Sequence, residues 1–245
     1  MKSKLILLDI FSYSCMNCLR SLEFIKQING EYKKFGFKII IIHPHEWEFE
    51  KNKKNILSAF KKYKINFPLI IDKDNNLIKK FNIDFWPAQV LISNGNILYK
   101  HIGEGNYRKL ENAIVKNLKI KTKNIFDNEP KNSRYPTVYC GKRKNDRTSK
   151  LYIDNKWAQN QEYIKSLKNK SALTILTKGI ITNFVAESST KKYIMIKIKL
   201  NDKFIKKIKI CKPQLYNLIK LRSYKQKKLT IITPKNLCIY SFSFR

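Results

Sequence analysis

The chain has 245 residues, 43% of them hydrophobic, with seven glycines and seven prolines. That is enough apolar material for two modest folded units and too little Gly and Pro for long disordered linkers. Fifty-one Lys and Arg against 18 Asp and Glu give a net charge of +33, of which residues 121–245 carry +23; with no Arg-rich tract or nucleic-acid motif beside it, the charge reads as lysine drift on solvated faces, nucleic acid is not expected as a partner, and no run approaches the ~20 apolar residues of a membrane-spanning helix.

Residues 5–11 read as a buried strand. Met1-Lys2-Ser3-Lys4 before Leu5 to Ile10 mimics a short export signal but lacks a small-residue cleavage site, and a cut there would destroy the strand. The expected location is therefore the cytoplasm, or an extracytoplasmic space if the N-terminus is incomplete. Cys15 and Cys18 follow at once, at the opening of a helix over 16–35 whose apolar face is Leu19, Leu22, Phe24, Ile25, Ile28 and Tyr32. A helix N-terminus gathers unpaired N–H groups and positive dipole charge, and both favour a thiolate over a thiol. Cys15 is thus the expected nucleophile of thiol–disulfide exchange, and Cys18, one turn on, the resolving thiol. The alternative for such a pair is half a zinc site, which needs two more soft ligands. Cys140, Cys211 and Cys238 are singletons, and only His43 and His45 form a close imidazole pair, so neither a metal nor a cofactor is expected.

Gly36 ends the helix. Residues 38–42 form a β-branched central strand, 50–64 a lysine-rich amphipathic helix, 67–71 a third strand, and 77–81 a helical turn. Asn94-Gly95 between two apolar runs signals a hairpin, and residues 107–118 close this half as a helix. The order β-α-β-α-β-(α)-β-β-α implies an α/β unit: a central mixed sheet with helices on both faces. Residues 119–150 lose apolar periodicity. From about 151 the chain turns to short alternating strands near 172–177, 180–185, 193–200, 204–210, 228–233 and 239–244, the pattern of a mostly antiparallel sandwich, jelly-roll-like. The expected division is 1–120, a linker or irregular segment at 121–150, and 151–245.

The Cys pair, the strand order and Trp86-Pro87-Ala88 together resemble the thioredoxin superfamily, and within it the DipZ and TlpA-like thioredoxin domains. The matching stretches are Asp9 to Arg20, His43 to Glu50, Phe67 to Asp72 and Pro87 to Gly95. The resemblance implies a thioredoxin-like fold, a protein disulfide as substrate, and an upstream electron donor, in DipZ a membrane carrier of the DsbD kind, which is not part of this chain. It assigns Pro87 the cis-proline position facing the thiols, against the alternative of a trans proline at a strand edge. Trp86 would cover the site or pack in the core, and Tyr13 would flank the substrate or serve as a turn residue. Among Glu46, Glu48 and Glu50, it favours Glu46 as acceptor of the Cys18 proton. The neutral Met16-Asn17 dipeptide leans toward a reductase.

The second half resembles the carbohydrate-binding-module-like sandwich that follows thioredoxin in DipZ, through Pro136 to Gly141 with Arg143, Leu215 to Ile219, and Ile239 to Phe244. That implies a glycan as ligand, for which Trp157, Tyr152 and Tyr163 would stack if they are not packing residues. Cys211 and Cys238 would be buried thiols or a pair. Three readings compete: an oxidoreductase, a redox-inactive module binding a glycan or protein, and an anion binder driven by charge.

Overall fold

The structure, a computed structural model, describes residues 5–121, 125, 135–144, 151–223 and 226–245. The chain divides into two compact units, Met1–Asn132 and Ser133–Arg245.

The first unit is built in the expected order. Strand β1 (Leu5–Ile10) feeds helix α1 (Met16–Tyr32), which tightens into a 3-10 turn at Lys33–Phe35 and stops at Gly36, whose φ of 88° needs a residue without Cβ. Strand β2 (Lys38–Pro44) then leads to a 3-10 turn at Glu48–Lys51 and helix α2 (Lys53–Lys62). The helix expected over 50–64 therefore starts later, because the Asn52 side chain accepts from Lys54 N and caps it there. Strand β3 (Leu69–Asp72), helix α3 (Asn76–Lys80), the hairpin β4 (Ala88–Ser93) and β5 (Asn96–Ile102), and helix α4 (Tyr107–Leu118) complete the unit.

The sheet order is β3-β2-β1-β4-β5. β1, β2 and β3 run parallel, while β4 pairs antiparallel with both β1 and β5. One sheet face packs Leu5, Leu7, Ile39, Ile41 and Leu91 against α1, α2 and α4. The other packs Leu8, Ile10, Ile42, Ala88 and Val90 against Ile78 of α3 and Ile83. A mixed sheet with helices on both faces is the thioredoxin-like fold expected. β1 and β2 are buried on both faces, and their near-continuous Leu and Ile runs are what that position demands.

The second unit is almost entirely antiparallel strand. In chain order these are β6 (Val138–Tyr139), β7 (Tyr152–Ile153), β8 (Trp157–Gln159), β9 (Ile164–Ser166), β10 (Ser171–Leu176), β11 (Ile181–Ser188), β12 (Ile194–Leu200), β13 (Lys203–Ile210), β14 (Gln214–Lys220), β15 (Lys228–Thr233) and β16 (Leu237–Phe244). They form one sheet ordered β13-β12-β15-β10-β7 and a second ordered β14-β11-β16-β9-β8, with β6 also on β16. Leu173, Ile196 and Ile231 from the first sheet and Phe184, Ile239 and Phe242 from the second share one core. The sandwich begins before residue 151: Val138 and Tyr139 already pair with Phe242 and Ser241. The rest of the expected 121–150 linker lies largely outside the described residues.

Ile41 lies on β2 facing α1 and is completely buried. Ile41→Ala is expected to destabilise the first unit by ~2–5 kcal/mol, read as a lower urea midpoint at unchanged denaturant slope in the near-UV signal of that unit.

Candidate functional site

Cys15 is itself the N-cap of α1. Its backbone is extended (φ −83°, ψ 120°), and its Sγ accepts the backbone N–H of Cys18 at 3.3 Å. The cap position leaves Cys15 half-buried and turns Cys18 fully inward. The thiol of Cys15 lies 3.8 Å from the carbonyl oxygen of Trp86. The Trp86–Pro87 peptide bond is cis, and Pro87 O accepts from Gly103 N at 2.8 Å. The structure therefore brings Cys15, Cys18, Trp86 and Pro87 together. Trp86 is half-buried against two core clusters, and Phe85 before it is 58% exposed.

Tyr13 is placed otherwise than as a residue that touches a substrate. It is fully buried, with its ring 5.4 Å from the His43 ring and 6.2 Å from that of Phe49. Its backbone N–H donates to His43 Nε2 at 3.3 Å. Burial pulls the His43 imidazole down to about 4, so it is neutral at physiological pH.

Three buried carboxylates organise this region: Asp9, Glu50 and Glu104. Asp9 lies on β1 opposite Gln89, whose Nε2 donates to Asp9 Oδ1 at 3.1 Å; Asp9 Oδ2 has no hydrogen-bond partner among the described residues. Burial raises its pKa to about 7. Burial also pushes the Cys18 thiol well above its ordinary value, helped by the hydrogen bond and charge of Cys15 and, more weakly, by the charge of Asp9. Glu50, fully buried, is the second. Its Oε1 accepts from Ser12 Oγ at 2.5 Å and Ser14 Oγ at 2.7 Å, and its Oε2 from Glu46 N at 2.7 Å. Glu46 donates its backbone N–H to that cluster, its charge helps raise the Glu50 pKa, and it is itself half-buried. The third, Glu104 on the segment after β5, holds Arg20 in a two-pronged ion pair, and Arg20 donates onward to Asn17 Oδ1 at 2.7 Å. That pair fastens the residue between the cysteines to the loop that binds Pro87.

Sequence reasoning passed over Asp9, Arg20 and Glu104. The signal for Asp9 was present: a lone acid inside a buried apolar strand must be neutral or functionally engaged. Arg20 and Glu104 are 84 residues apart and left no local pattern. Among the described residues no three His, Cys, Asp or Glu gather in metal-binding geometry.

In the second unit the three aromatics have different surroundings. Trp157 packs against the core and donates Nε1–H to Ala172 O at 3.0 Å, the Tyr163 ring lies tilted 5.1 Å from that of Tyr240, and Tyr152 alone of the three is exposed. Cys211 and Cys238 are both free.

A family model described as thioredoxin-like matches residues 3–97. The chain is similar to NHL repeat-containing protein 2 of Homo sapiens, 36% identical over 109 residues that make 44% of this chain and 15% of that protein. It is similar to Protein DipZ of Mycobacterium tuberculosis, 29% identical over 46% of this chain and 16% of that protein. It is similar as well to the thiol-disulfide oxidoreductase ResA of Bacillus cereus, 28% identical over 47% of this chain and 65% of that protein. The chain thus spans about a sixth of the first two relatives and just under two thirds of the third. The first unit is a thioredoxin-like domain.

Asp9 carries a linkage signature that can be measured. Its folded pKa lies above the unfolded value near 3.9, so the folded state holds the proton longer. Stability from this group is full below about pH 4 and is lost as pH rises to about 7. Asp9→Asn keeps the acceptor for Gln89 and removes the titration. The variant is expected to gain ~1–3 kcal/mol over the parent at pH 8 and almost none at pH 4, measured by urea unfolding across that range.

Proposed function

We propose that the thioredoxin-like unit is a thiol–disulfide oxidoreductase that reduces protein disulfides through Cys15 and Cys18. The observation that carries this reading is the division between the two sulfurs. Cys15, at the start of α1, is half-buried with the Trp86 carbonyl beside it, and Cys18 is buried one turn on, where the charge of Asp9 acts on it. Relatives such as the thiol-disulfide oxidoreductase ResA support the same chemistry.

The reaction divides into two displacements. The Cys15 thiolate attacks one sulfur of the substrate disulfide; an S–S bond forms to Cys15, and the other substrate sulfur leaves as a thiolate that takes a proton from water. Cys18 then gives up its proton and attacks Cys15 Sγ, forming the Cys15–Cys18 disulfide and expelling the second substrate sulfur. The proton acceptor in this reading is Asp9 rather than Glu46. Asp9 is buried, acts electrostatically on Cys18, and with a pKa of about 7 is ionised often enough and basic enough to serve near neutrality. Two electrons pass from the dithiol to the substrate. An external dithiol restores them by the same exchange, in our reading a membrane carrier of the DsbD kind. The exposed Phe85 and the Trp86 carbonyl offer the substrate an apolar contact and a backbone acceptor beside Cys15.

The purified protein is expected to accelerate the reduction of insulin by dithiothreitol. Cys15→Ser should lower the rate at least ~100-fold, to the uncatalysed level. Cys18→Ser should stop turnover but accumulate a mixed disulfide on Cys15, visible as a mass increase that dithiothreitol reverses. Insulin reduction unchanged in Cys15→Ser would overturn the reading.

A further inference from the structure

The loop that presents Cys15 is tied down by one carboxylate. Four donors converge on Glu50: the Ser12 and Ser14 hydroxyls on Oε1, and the backbone N–H groups of Glu46 and Trp47 on Oε2, the last at 3.4 Å. Ser12 is bound three times more within the loop: its Oγ accepts from Ser14 N at 3.2 Å and shares a hydrogen bond with Ser14 Oγ at 3.3 Å, and its carbonyl accepts from Cys15 N at 3.2 Å. The path from Glu50 to the backbone of Cys15 is therefore continuous: Glu50, Ser12, Cys15. We propose that Glu50 is a positioning residue for the attacking sulfur, that its ionised carboxylate fixes the Ser12–Cys15 loop through both serine hydroxyls, and that protonation releases that hold.

The donor arithmetic gives the reason. A carboxylate offers about four acceptor sites, and here all four are used. A protonated carboxyl must donate once. The two groups at Oε2 are N–H donors and cannot accept, so the proton has to sit on Oε1, and Ser12 or Ser14 must turn its hydroxyl round to receive it. One of the two bonds that hold the loop is then inverted and weakened, since a bond to an ionised acceptor is roughly twice as strong as a neutral one.

The surroundings decide when this happens. Burial, then the charge of Glu46, raise the Glu50 pKa to about 7, against the lowering effect of its hydrogen bonds. From β2 the nearest titratable group is His43, held near 4 and neutral throughout the window. From the loop there are Tyr13 and Cys15, and from β1 Asp9, which titrates in the same range. On its own turn, Glu48 pairs with Lys51 at 2.9 Å on the exposed side, and Lys53 and Lys54 at the start of α2 are exposed. Asp9 is thus the one group that could imitate Glu50, and any test has to silence it.

The inference rests on the reading of Cys15 as the attacking sulfur, but its test needs no turnover. Alkylation of Cys15 by iodoacetamide is followed by peptide mass spectrometry from pH 5 to 9, in the reduced 245-residue chain carrying Asp9→Asn. If two ionisations are needed, that of the thiol and that of Glu50, the logarithm of the rate rises with a slope above one around pH 7. Glu50→Gln in the same background freezes the protonated hydrogen-bond pattern. It is expected to return the slope to one or less and to lower the rate at pH 8 about threefold to tenfold. An unchanged slope and rate would overturn the proposal. Should Glu50→Gln fail to fold by circular dichroism, Ser14→Ala takes its place: with one donor fewer, the step should move to higher pH by about one unit, and a step that stays put would equally overturn it. Failure of the oxidoreductase reading shows separately, as absent insulin reduction in the parent protein.

Discussion

Phe11 to Ser14 have left the β ladder, yet all four residues are buried, and this combination governs the site. A backbone that is neither in a sheet nor in water must find its partners elsewhere, or forfeit 1–3 kcal/mol for each orphaned group. Some come from the loop itself, Ser12 Oγ accepting Ser14 N and Ser12 O accepting Cys15 N, and the rest from residues 42–50. Ile42 O receives Phe11 N, His43 Nε2 receives Tyr13 N, and Glu50 receives the hydroxyls of Ser12 and Ser14. The 3-10 turn at Glu48–Lys51 follows from the same need, since it brings Glu50 back under the loop. With the loop held, Cys15 has a fixed place from which to cap α1, and Cys18 a fixed place beneath it.

That geometry separates two sulfurs only three residues apart. Cys15 sits where the dipole of α1 and the N–H of Cys18 converge. Cys18 sits where burial, the neighbouring sulfur and Asp9 all disfavour a second negative charge. In the proposed reaction, Cys18 and, for much of the time, Asp9 keep their protons until the first sulfur is committed to a mixed disulfide and its charge is gone. Loss of that charge is what makes the second deprotonation easier, so the order of the two displacements follows from electrostatics. The ion pair of Arg20 with Glu104 stands outside this exchange of protons. It joins α1 to the loop on Pro87 and so holds the dithiol and the proline segment at a constant separation.

Much of this was legible in the chain because the informative features are local. Cys15-x-x-Cys18 after a buried strand, Asn94-Gly95 between apolar runs, and the 3.6-residue spacing of Leu22, Ile25 and Ile28 each specify structure within a few residues. The glutamates show where locality ends. Glu46, Glu48 and Glu50 alternate, and which of them faces the loop depends on whether the backbone after β2 is helical or 3-10 and on where Asn52 caps α2. A helix starting at residue 50 would leave Glu50 at a solvent-facing first turn; the 3-10 turn buries it instead. In the second unit the strands of six to eight residues were readable, β14 excepted as a strand in its own right, while β6 to β9, two or three residues long, are too short to show a period of two. β6, β7 and β9 exist because longer neighbours, β10 and β16, offer places to pair, and β8 forms on β9 in turn.

The charge of the second half finds its physical place in the same sandwich. β13 is an edge strand of its sheet, and it exposes Phe204 and Ile205. An unpaired row of N–H and C=O groups flanked by exposed aromatic and branched residues is a template for another strand. Lys203, Lys206, Lys207 and Lys209 lie along that edge, and Lys197 faces Lys207 from β12. A second copy approaching edge to edge would bring the same lysines close to these, a repulsion that grows with every added pair, while Ile210 of β13 and Ile196 and Ile198 of its neighbour β12 keep the two strands on their own core. The repeated Lys-Ile alternation therefore fixes the strand's inner face and blocks its outer edge with one two-residue period, so a strongly basic composition is compatible with a folded sandwich without any requirement for an anionic ligand.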